Sequence, residues 1–289
     1  EKMEQVFRDF RPHIVFHAAA YKHVSLIEEN PHEALRVNVG GTRNMTELAV
    51  RYGVSKFVMI STDKSVNPTS VMGVTKRICE KIVQASSLLE LNRTQFIVTR
   101  FGNVLGSNGS VIPIFSNQIA RGGPVTVTHP EVFRYFMTIS EACQLVLEAG
   151  FMGKGGEIFV FDMGEPVKIA DLARNMIRLS GLEPGRDIKI EYTGLRPGEK
   201  LVEELLTDKE ITKETHHPKI RIANVEPIDE FEILSKIDFL LQNLYSLTRK
   251  EAVKLISEIV PEYKSSNVRY NGYIASTEPV NGTQNSAHE

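Results

Sequence analysis

The chain has 289 residues, enough for one or two domains with a real hydrophobic core. Its 34 basic and 36 acidic side chains nearly cancel, with no long basic block, which argues against nucleic acid as a partner. Cys79 and Cys143 have neither a paired spacing nor a histidine cluster nearby, so they read as reduced thiols of a cytosolic setting rather than a disulfide framework or a zinc site, and no apolar run nears the roughly 20 residues of a membrane helix.

An amphipathic helix over 1–9, with Val6, Phe7 and Phe10 apolar, leads to a strand at 13–17. A helix is predicted over 31–52, although Gly40 and Gly41 weaken it while permitting close approach to a strand or ligand. The strand 56–60, the helix 71–91 and the strand 95–100 continue the alternation, which argues for a parallel sheet with crossover helices. After Gly102 comes a glycine-rich loop at 106–109, a helical spacing over 111–119 stopped by Gly122-Gly123-Pro124, and a short strand pair at 125–128 and 133–138. Ser140 and Glu141 open a helix over 141–149, followed by a strand at 157–161, a helix at 170–180 and a strand at 188–192. Amphipathic helices near 229–242 and 249–259 are expected at the periphery, and beyond Tyr263 the Ser, Asn, Thr and Gly content is too polar to bury a core, which predicts a disordered tail.

Residues 57–76, FVMISTDKSVNPTSVMGVTK, carry the densest chemistry. An apolar strand ends at Ser61-Thr62-Asp63-Lys64, and the next helix bears Met72 and Lys76 four residues apart. Hydroxyl, carboxylate and amine groups at the C-terminal end of a strand occupy the ligand-binding edge of an open α/β sheet. The plainer alternative is that Asp63 caps a turn and Lys64 is a solvated charge. Ala18, Ala19 and Ala20 close an earlier strand with side chains small enough for a dinucleotide to lie against the backbone, or simply for tight packing. His17 and His23, six residues apart without carboxylate or thiol partners, do not make a metal site.

Five segments fall in one order: 16–23 (FHAAAYKH), Asn38 with Gly41-Thr42, Ser61-Thr62-Asp63-Lys64 with Lys76, 100–106 (RFGNVLG) and 195–200 (LRPGEK). Together they resemble the extended short-chain dehydrogenase/reductase superfamily, and within it the CapD-like polysaccharide biosynthesis proteins, over 1–261. The resemblance implies a Rossmann-like doubly wound α/β sheet, incomplete at the N-terminus, with a smaller α/β substrate-binding subdomain. It divides the chain into a partial NAD-binding domain (1–105), a substrate-binding region (106–228) interleaved with a returning strand near 157–161, C-terminal helices (229–263) and a tail (264–289). The activity it implies is that of an NAD-dependent nucleotide-sugar 4,6-dehydratase, with UDP-N-acetylglucosamine as substrate. A 4- or 5-epimerase shares the binding motifs, and a non-catalytic NAD-binding regulator is the reading from a different class.

By that resemblance Ala18, Ala19, Ala20, Lys22, Asn38, Ser61, Lys76, Arg100, Gly102 and Val104 hold NAD, and Thr62, Asp63, Lys64 and Lys76 are catalytic. Met72 stands where the superfamily carries a tyrosine acid/base; a thioether transfers no proton, so the work passes to Thr62, Asp63 and Lys64. A neutral, desolvated Lys64 would take the proton from C5 while a protonated Asp63 helps the C6 hydroxyl leave. Asn103, just past a strand end, can reach sugar or phosphate, and Arg134 and Arg196 suit a diphosphate unless they are surface ion pairs. Glu199 suits a ribose hydroxyl, and Val111, Ile112 and Thr126 are assigned to the base by the family pattern alone. The resemblance further implies that the glycine loop and the acidic residue selecting NAD over NADP lie upstream of residue 1, that one sheet edge is left unpaired, and that relatives associate as homo-oligomers. It allows membrane helices ahead of the domain, anchoring it on the cytoplasmic side of the inner membrane.

Overall fold

Short apolar strands alternate with helices in the computed structural model, which describes residues 1–90, 92–207 and 210–270. The helix α1 (Lys2–Phe10) precedes the strand β1 (Ile14–His17), and α2 (Val24–Glu29), α3 (Pro31–Ala34), a π-helical turn (Leu35–Gly40) and α4 (Gly41–Arg51) lead to β2 (Lys56–Ile60). Then come α5 (Val71–Leu88), β3 (Gln95–Arg100), β4 (Asn103–Val104), α6 (Val111–Ala120), β5 (Val125–Val127), β6 (Phe133–Arg134) and β7 (Phe136–Met137). The rest comprises α7 (Ile139–Met152), β8 (Ile158–Phe161), β9 (Val167–Lys168), α8 (Ile169–Leu179), β10 (Ile190–Tyr192), β11 (Ile211–Glu214), β12 (Ile220–Asn224), α9 (Glu230–Gln242) and α10 (Arg249–Ile259).

The main sheet has six strands in the order β1-β2-β3-β8-β12-β11. The first four are parallel, with Phe57 opposite Phe96 and Val98 opposite Ile158, while β12 and β11 run antiparallel. Every residue of β8 is buried, as a strand covered on both faces requires. On one face Leu48 and Ala49 of α4 with Cys79 and Val83 of α5 meet Phe57, Met59, Phe96 and Val98; on the other, Ala142, Leu145 and Ala149 of α7 meet Val58, Ile97 and Phe159. This is the doubly wound α/β sheet that the alternation predicts. A smaller lobe encloses Phe115, Val125, Val127, Ala173 and Ile177 between α6, β5 and α8. At the β1 edge Ile14 and Phe16 are 52% and 47% exposed. Among the described residues no helix is long and apolar enough to cross a membrane.

Helix α5 is buried nearly all round because it has two apolar neighbours. Its sheet-facing side is matched by an outer side of Val71, Met72, Val74, Ile78 and Ile82, which packs on Ile237 and Leu240 of α9 and on Val253 and Ile256 of α10. The last two helices are therefore part of the core, not peripheral as their amphipathic pattern suggests. The segment from Lys264 is also held: the Lys264 and Ser266 amides donate to the Pro68 and Thr69 carbonyls (3.0 and 3.2 Å), and the Tyr270 hydroxyl donates to the Glu28 carbonyl (2.8 Å). The predicted disordered tail is thus corrected over 264–270, and its remainder, 271–289, lies outside the described residues.

Local boundaries shift for identifiable reasons. The helix predicted over 31–52 is interrupted by the π-helical turn that ends at Gly40. The helix placed at 141–149 starts two residues earlier, because the Thr138 hydroxyl, not Ser140, accepts the Glu141 amide (3.2 Å). The strands expected to pair at 125–128 and 133–138 do not meet: β5 pairs with β10, β6 with β9 and β7 with β4. Strands this short carry too little alternation to specify a partner.

Two predictions arise here. A β-carbon on Gly73 would lie 2.2 Å from the Lys64 carbonyl oxygen and 3.2 Å from Pro68 Cβ, so α5 sits directly on the turn after β2. Gly73→Ala is expected to lower stability by about 1–3 kcal/mol, read as a reduced urea midpoint at unchanged slope; an unchanged midpoint would mean the helix has slack there. His17 is 5% exposed, its Nε2 is 2.9 Å from Thr42 Oγ1, and burial followed by the Lys76 charge holds its pKa down at about 4. Because the unfolded chain binds a proton near the ordinary histidine value and the folded one does not, stability should fall as pH drops from about 6.5 to 4, on the scale of about 1.4 kcal/mol per unit. His17→Gln should flatten that slope in pH-dependent denaturant melts, and an equal slope in both proteins would contradict a neutral buried ring.

Candidate active site

The polypeptide after β2 is zipped to the strand beside it: the Ser61 amide donates to Thr99 O (2.7 Å) and the Asp63 amide to Phe101 O (3.0 Å). A single 3-10 turn over Asp63–Ser65 follows, with the Lys64 amide donating to Thr62 Oγ1 (3.4 Å) and the Ser65 hydroxyl to Thr62 O (2.7 Å). Beneath it the Ser61 and Ser65 hydroxyls both donate to Glu80 Oε1 at 2.6 Å. Arg100 grips the same carboxylate through Nε (3.2 Å) and Nη2 (2.8 Å) and reaches Glu210 with Nη1 (2.8 Å). Burial alone would raise the Glu80 pKa, but Arg100 and Arg77 hold it far below the usual carboxylate range. Arg100, expected at the cofactor, is fully buried in this network and supports the loop from behind.

Thr62, Asp63 and Lys64 converge as the sequence predicts, with one group added. Asp63 Oδ1 accepts from Thr62 Oγ1 (2.8 Å) and from Lys64 Nζ (2.9 Å), and Nζ also lies 3.4 Å from Asn103 Oδ1. The added group is Glu203, 4% exposed, whose Oε1 is 3.8 Å from Lys64 Nζ. Burial favours a neutral Lys64, but Asp63 and then Glu203 outweigh it and raise the pKa, so the resting side chain is an ammonium rather than the neutral amine expected. Burial pushes the Glu203 carboxyl up, partly offset by Lys64. In sequence Glu203 is one of two adjacent glutamates beyond the 195–200 segment, and nothing in the pattern tells which of them turns inward.

These groups border a cavity of about 600 Å³. Its walls include Thr62, Lys64, Lys76, Met72 and Glu203, but not Asp63, which is fully buried behind Thr62 and Lys64 with Oδ2 sealed near Gly102. The expected direct contact of Asp63 with a sugar is therefore corrected. Ala18, Ala20, Lys22, Ser61, Gly102 and Val104 also line the cavity, whereas Ala19 does not. Asn38 is buried outside it, clamping the Tyr21 backbone through Oδ1 (2.7 Å) and Nδ2 (3.1 Å), so it shapes the loop after β1 without touching the space.

Asn103, Val111, Thr126, Arg134, Arg196 and Glu199 also line the cavity and Ile112 does not. Arg134 donates to Glu199 Oε1 (3.1 Å) and Thr128 Oγ1 donates to the same oxygen (2.8 Å), so this arginine and glutamate neutralise one another; Arg196 is exposed at the mouth. The donor set suits the nicotinamide riboside end of a dinucleotide. Small side chains at Ala18 and Ala20 leave the end of β1 open, and the Lys76 ammonium donates one hydrogen to Ile60 O (2.8 Å), leaving two for ribose hydroxyls.

Residues 1–225 match the family described as "Polysaccharide biosynthesis protein". The chain is 56% identical over 254 residues to the capsular polysaccharide biosynthesis protein CapD of Staphylococcus aureus, covering 88% of this chain and 41% of that protein. It is 56% identical over 223 residues to the probable polysaccharide biosynthesis protein EpsC of Bacillus subtilis, covering 77% and 37%. It thus spans well under half the length of these two relatives. A UDP-glucose 4-epimerase of Rickettsia canadensis is 40% identical over 69% of this chain and 57% of its own. Among solved structures, Pen from Bacillus thuringiensis superposes with a TM-score of 0.67 at 35% identity, over 79% of this chain and 75% of that one. A dTDP-glucose 4,6-dehydratase, DesIV of Streptomyces venezuelae with NAD bound, gives 0.61 at 20% identity over 70% and 67%, a likeness of fold alone. With the matched segment covering most of its length, the chain belongs to the polysaccharide biosynthesis protein family and has the fold of the extended short-chain dehydrogenases/reductases.

Proposed function

We infer that this domain is an NAD-dependent nucleotide-sugar 4,6-dehydratase of glycan assembly, taking a UDP-linked sugar such as UDP-N-acetylglucosamine. One observation carries the reading: the Lys64 ammonium stands at the cavity wall between two buried carboxyl groups, 2.9 Å from Asp63 and 3.8 Å from Glu203. A domain that only bound a dinucleotide would have no use for a proton-transfer set beside the ring-binding lysine. Lys76, Ser61, Ala18 and Ala20 would hold the nicotinamide riboside, and NAD, when bound, supplies the acceptor and donor for the hydride that leaves C4 and returns to C6.

The chain's own residues account for the protons. Thr62 accepts from the O4 hydroxyl while its own hydrogen points to Asp63 Oδ1 at 2.8 Å, giving a path by which the O4 proton reaches a carboxylate without a tyrosine. Met72, 4% exposed, fills the space of the missing phenol and keeps water out. A carbonyl at C4 acidifies the proton on C5. A sugar seated over Lys64 removes its remaining water contact, and in the drier site the ammonium proton passes to a neighbouring carboxylate, leaving an amine that is the base at C5. Arg196, exposed at the mouth, suits the diphosphate, Asn103 beside Lys64 suits the sugar, and Val111 and Thr126 border the path to the nucleoside.

The 4-epimerase reading draws on the Rickettsia relative and uses the same floor, but needs no base at C5. The two differ in product. The full-length protein incubated with NAD and UDP-N-acetylglucosamine should release a 6-deoxy-4-keto sugar; inversion at C4 with the C6 hydroxyl retained would favour the epimerase. Lys64→Met is expected to cut solvent deuterium entry at C5 by about 10²-fold or more with NAD binding unchanged by calorimetry. Undiminished exchange in that variant would remove Lys64 from the base position.

A further inference from the structure

Elimination across C5 and C6 requires an acid at O6 as well as a base at C5, and these atoms are separated by one carbon. The heads of the two groups must therefore lie a few ångströms apart and open on the same space. Asp63 meets the first condition and fails the second: both its oxygens are enclosed, Oδ1 by Thr62 and Lys64, and Oδ2 sealed near Gly102. Glu203 meets both, lining the cavity with its carboxyl 3.8 Å from Lys64 Nζ. It faces Lys64, Asp63, Arg134 and Lys200, and burial keeps its carboxyl easier to protonate than a surface glutamate.

We propose that Glu203 is the general acid that protonates the departing C6 hydroxyl, with Asp63 serving instead as the acceptor of the O4 proton. This rests on the 4,6-dehydratase reading above. The proposed cycle begins with an ammonium on Lys64 and carboxylates on Asp63 and Glu203. The ammonium proton crosses to Glu203, creating base and acid in one transfer. The O4 proton moves through Thr62 to Asp63. Lys64 then takes the C5 proton, the electron pair of that bond forms the C5–C6 double bond, and the C6–O bond breaks as Glu203 gives its proton to the leaving oxygen, releasing water. The Lys64 ammonium returns its proton to C5 when C6 is reduced, and Asp63 passes the O4 proton to Lys64 across their 2.9 Å bond, restoring the resting state. The proton lost from O4 is thus the one that balances the water.

The test separates exchange from elimination in the full-length protein with NAD and UDP-N-acetylglucosamine in deuterium oxide. Glu203→Asp, which still takes the Lys64 proton but holds its acid one methylene farther from O6, is expected to leave deuterium entry at C5 of the recovered sugar within about threefold of wild type, while release of 6-deoxy-4-keto sugar falls by about 10-fold or more. Glu203→Gln, which can neither accept the Lys64 proton nor protonate O6, should lose exchange and elimination together by about 10²-fold or more. Product formation by Glu203→Gln near the wild-type rate would overturn the assignment, as would equal loss of exchange and elimination in Glu203→Asp with unchanged melting temperature. Should Glu203→Gln fail to fold, Glu203→Asp decides alone: elimination slowed with exchange intact supports the assignment, and unimpaired elimination or joint loss overturns it. Wild-type protein that releases no 6-deoxy-4-keto sugar would sink the dehydratase reading itself, a failure visible before any variant is made.

Discussion

The carboxylate of Glu80 is the point on which the rest of the structure turns. It lies in α5, yet it is bound by a guanidinium from β3 and by two hydroxyls from the loop after β2, so helix, sheet and the turn bearing Thr62 and Lys64 are joined through one buried group. Glu210, next to the β11 hairpin, takes the other arm of Arg100, and Arg77 extends the chain of charges to Glu262 near the C-terminus. A buried pair of this kind adds little net stability against an apolar substitute, while loss of one partner costs about 3–5 kcal/mol because the other charge is stranded. Its value lies in register. Ser61 and Ser65 can satisfy Glu80 only when the turn between them has one conformation, and that conformation aims Thr62 and Lys64 at the cavity.

The same logic of enforced neighbours governs the site's charge. Two carboxyl groups crowd one ammonium, and the charge of Arg134 acts on Lys64 and Glu203 as well. Burial by itself would favour the neutral form of both Lys64 and Glu203; the close carboxyls reverse this at Lys64, while at Glu203 burial prevails, and the balance is sensitive to anything that dries the cavity. A ligand seated over Lys64 would do that.

Much of this was legible in the residues. Apolar strands of four to six residues between helical spacings define a parallel sheet, and hydroxyl, carboxylate and amine side chains at the end of β2 mark its ligand edge. Burial on both sides of α5 was not legible, since amphipathic α9 and α10 carry no sign of what their apolar faces meet. The β11–β12 hairpin escaped because Ile211 to Glu214 alternates weakly and holds a single large apolar side chain. Arg100 misled for a physical reason: an arginine at a strand end is as well suited to a buried carboxylate as to a phosphate, and only its depth distinguishes them. Glu203 was invisible because inward or outward orientation in an irregular segment depends on a backbone path that periodicity does not describe.

The segment 264–270 does more than end the described chain. Ser266 Oγ accepts the Gly198 amide (2.6 Å), Thr69 Oγ1 donates to the Gly198 carbonyl (3.1 Å), and Asn267 Nδ2 donates to Glu28, which in turn accepts the first amide of α5. The peptide that carries Arg196 is consequently fastened to the front of α5 and to residues more than sixty positions downstream. It cannot swing as an isolated flap. Widening the cavity at this rim therefore means tilting rim, helix tip and strap as one body.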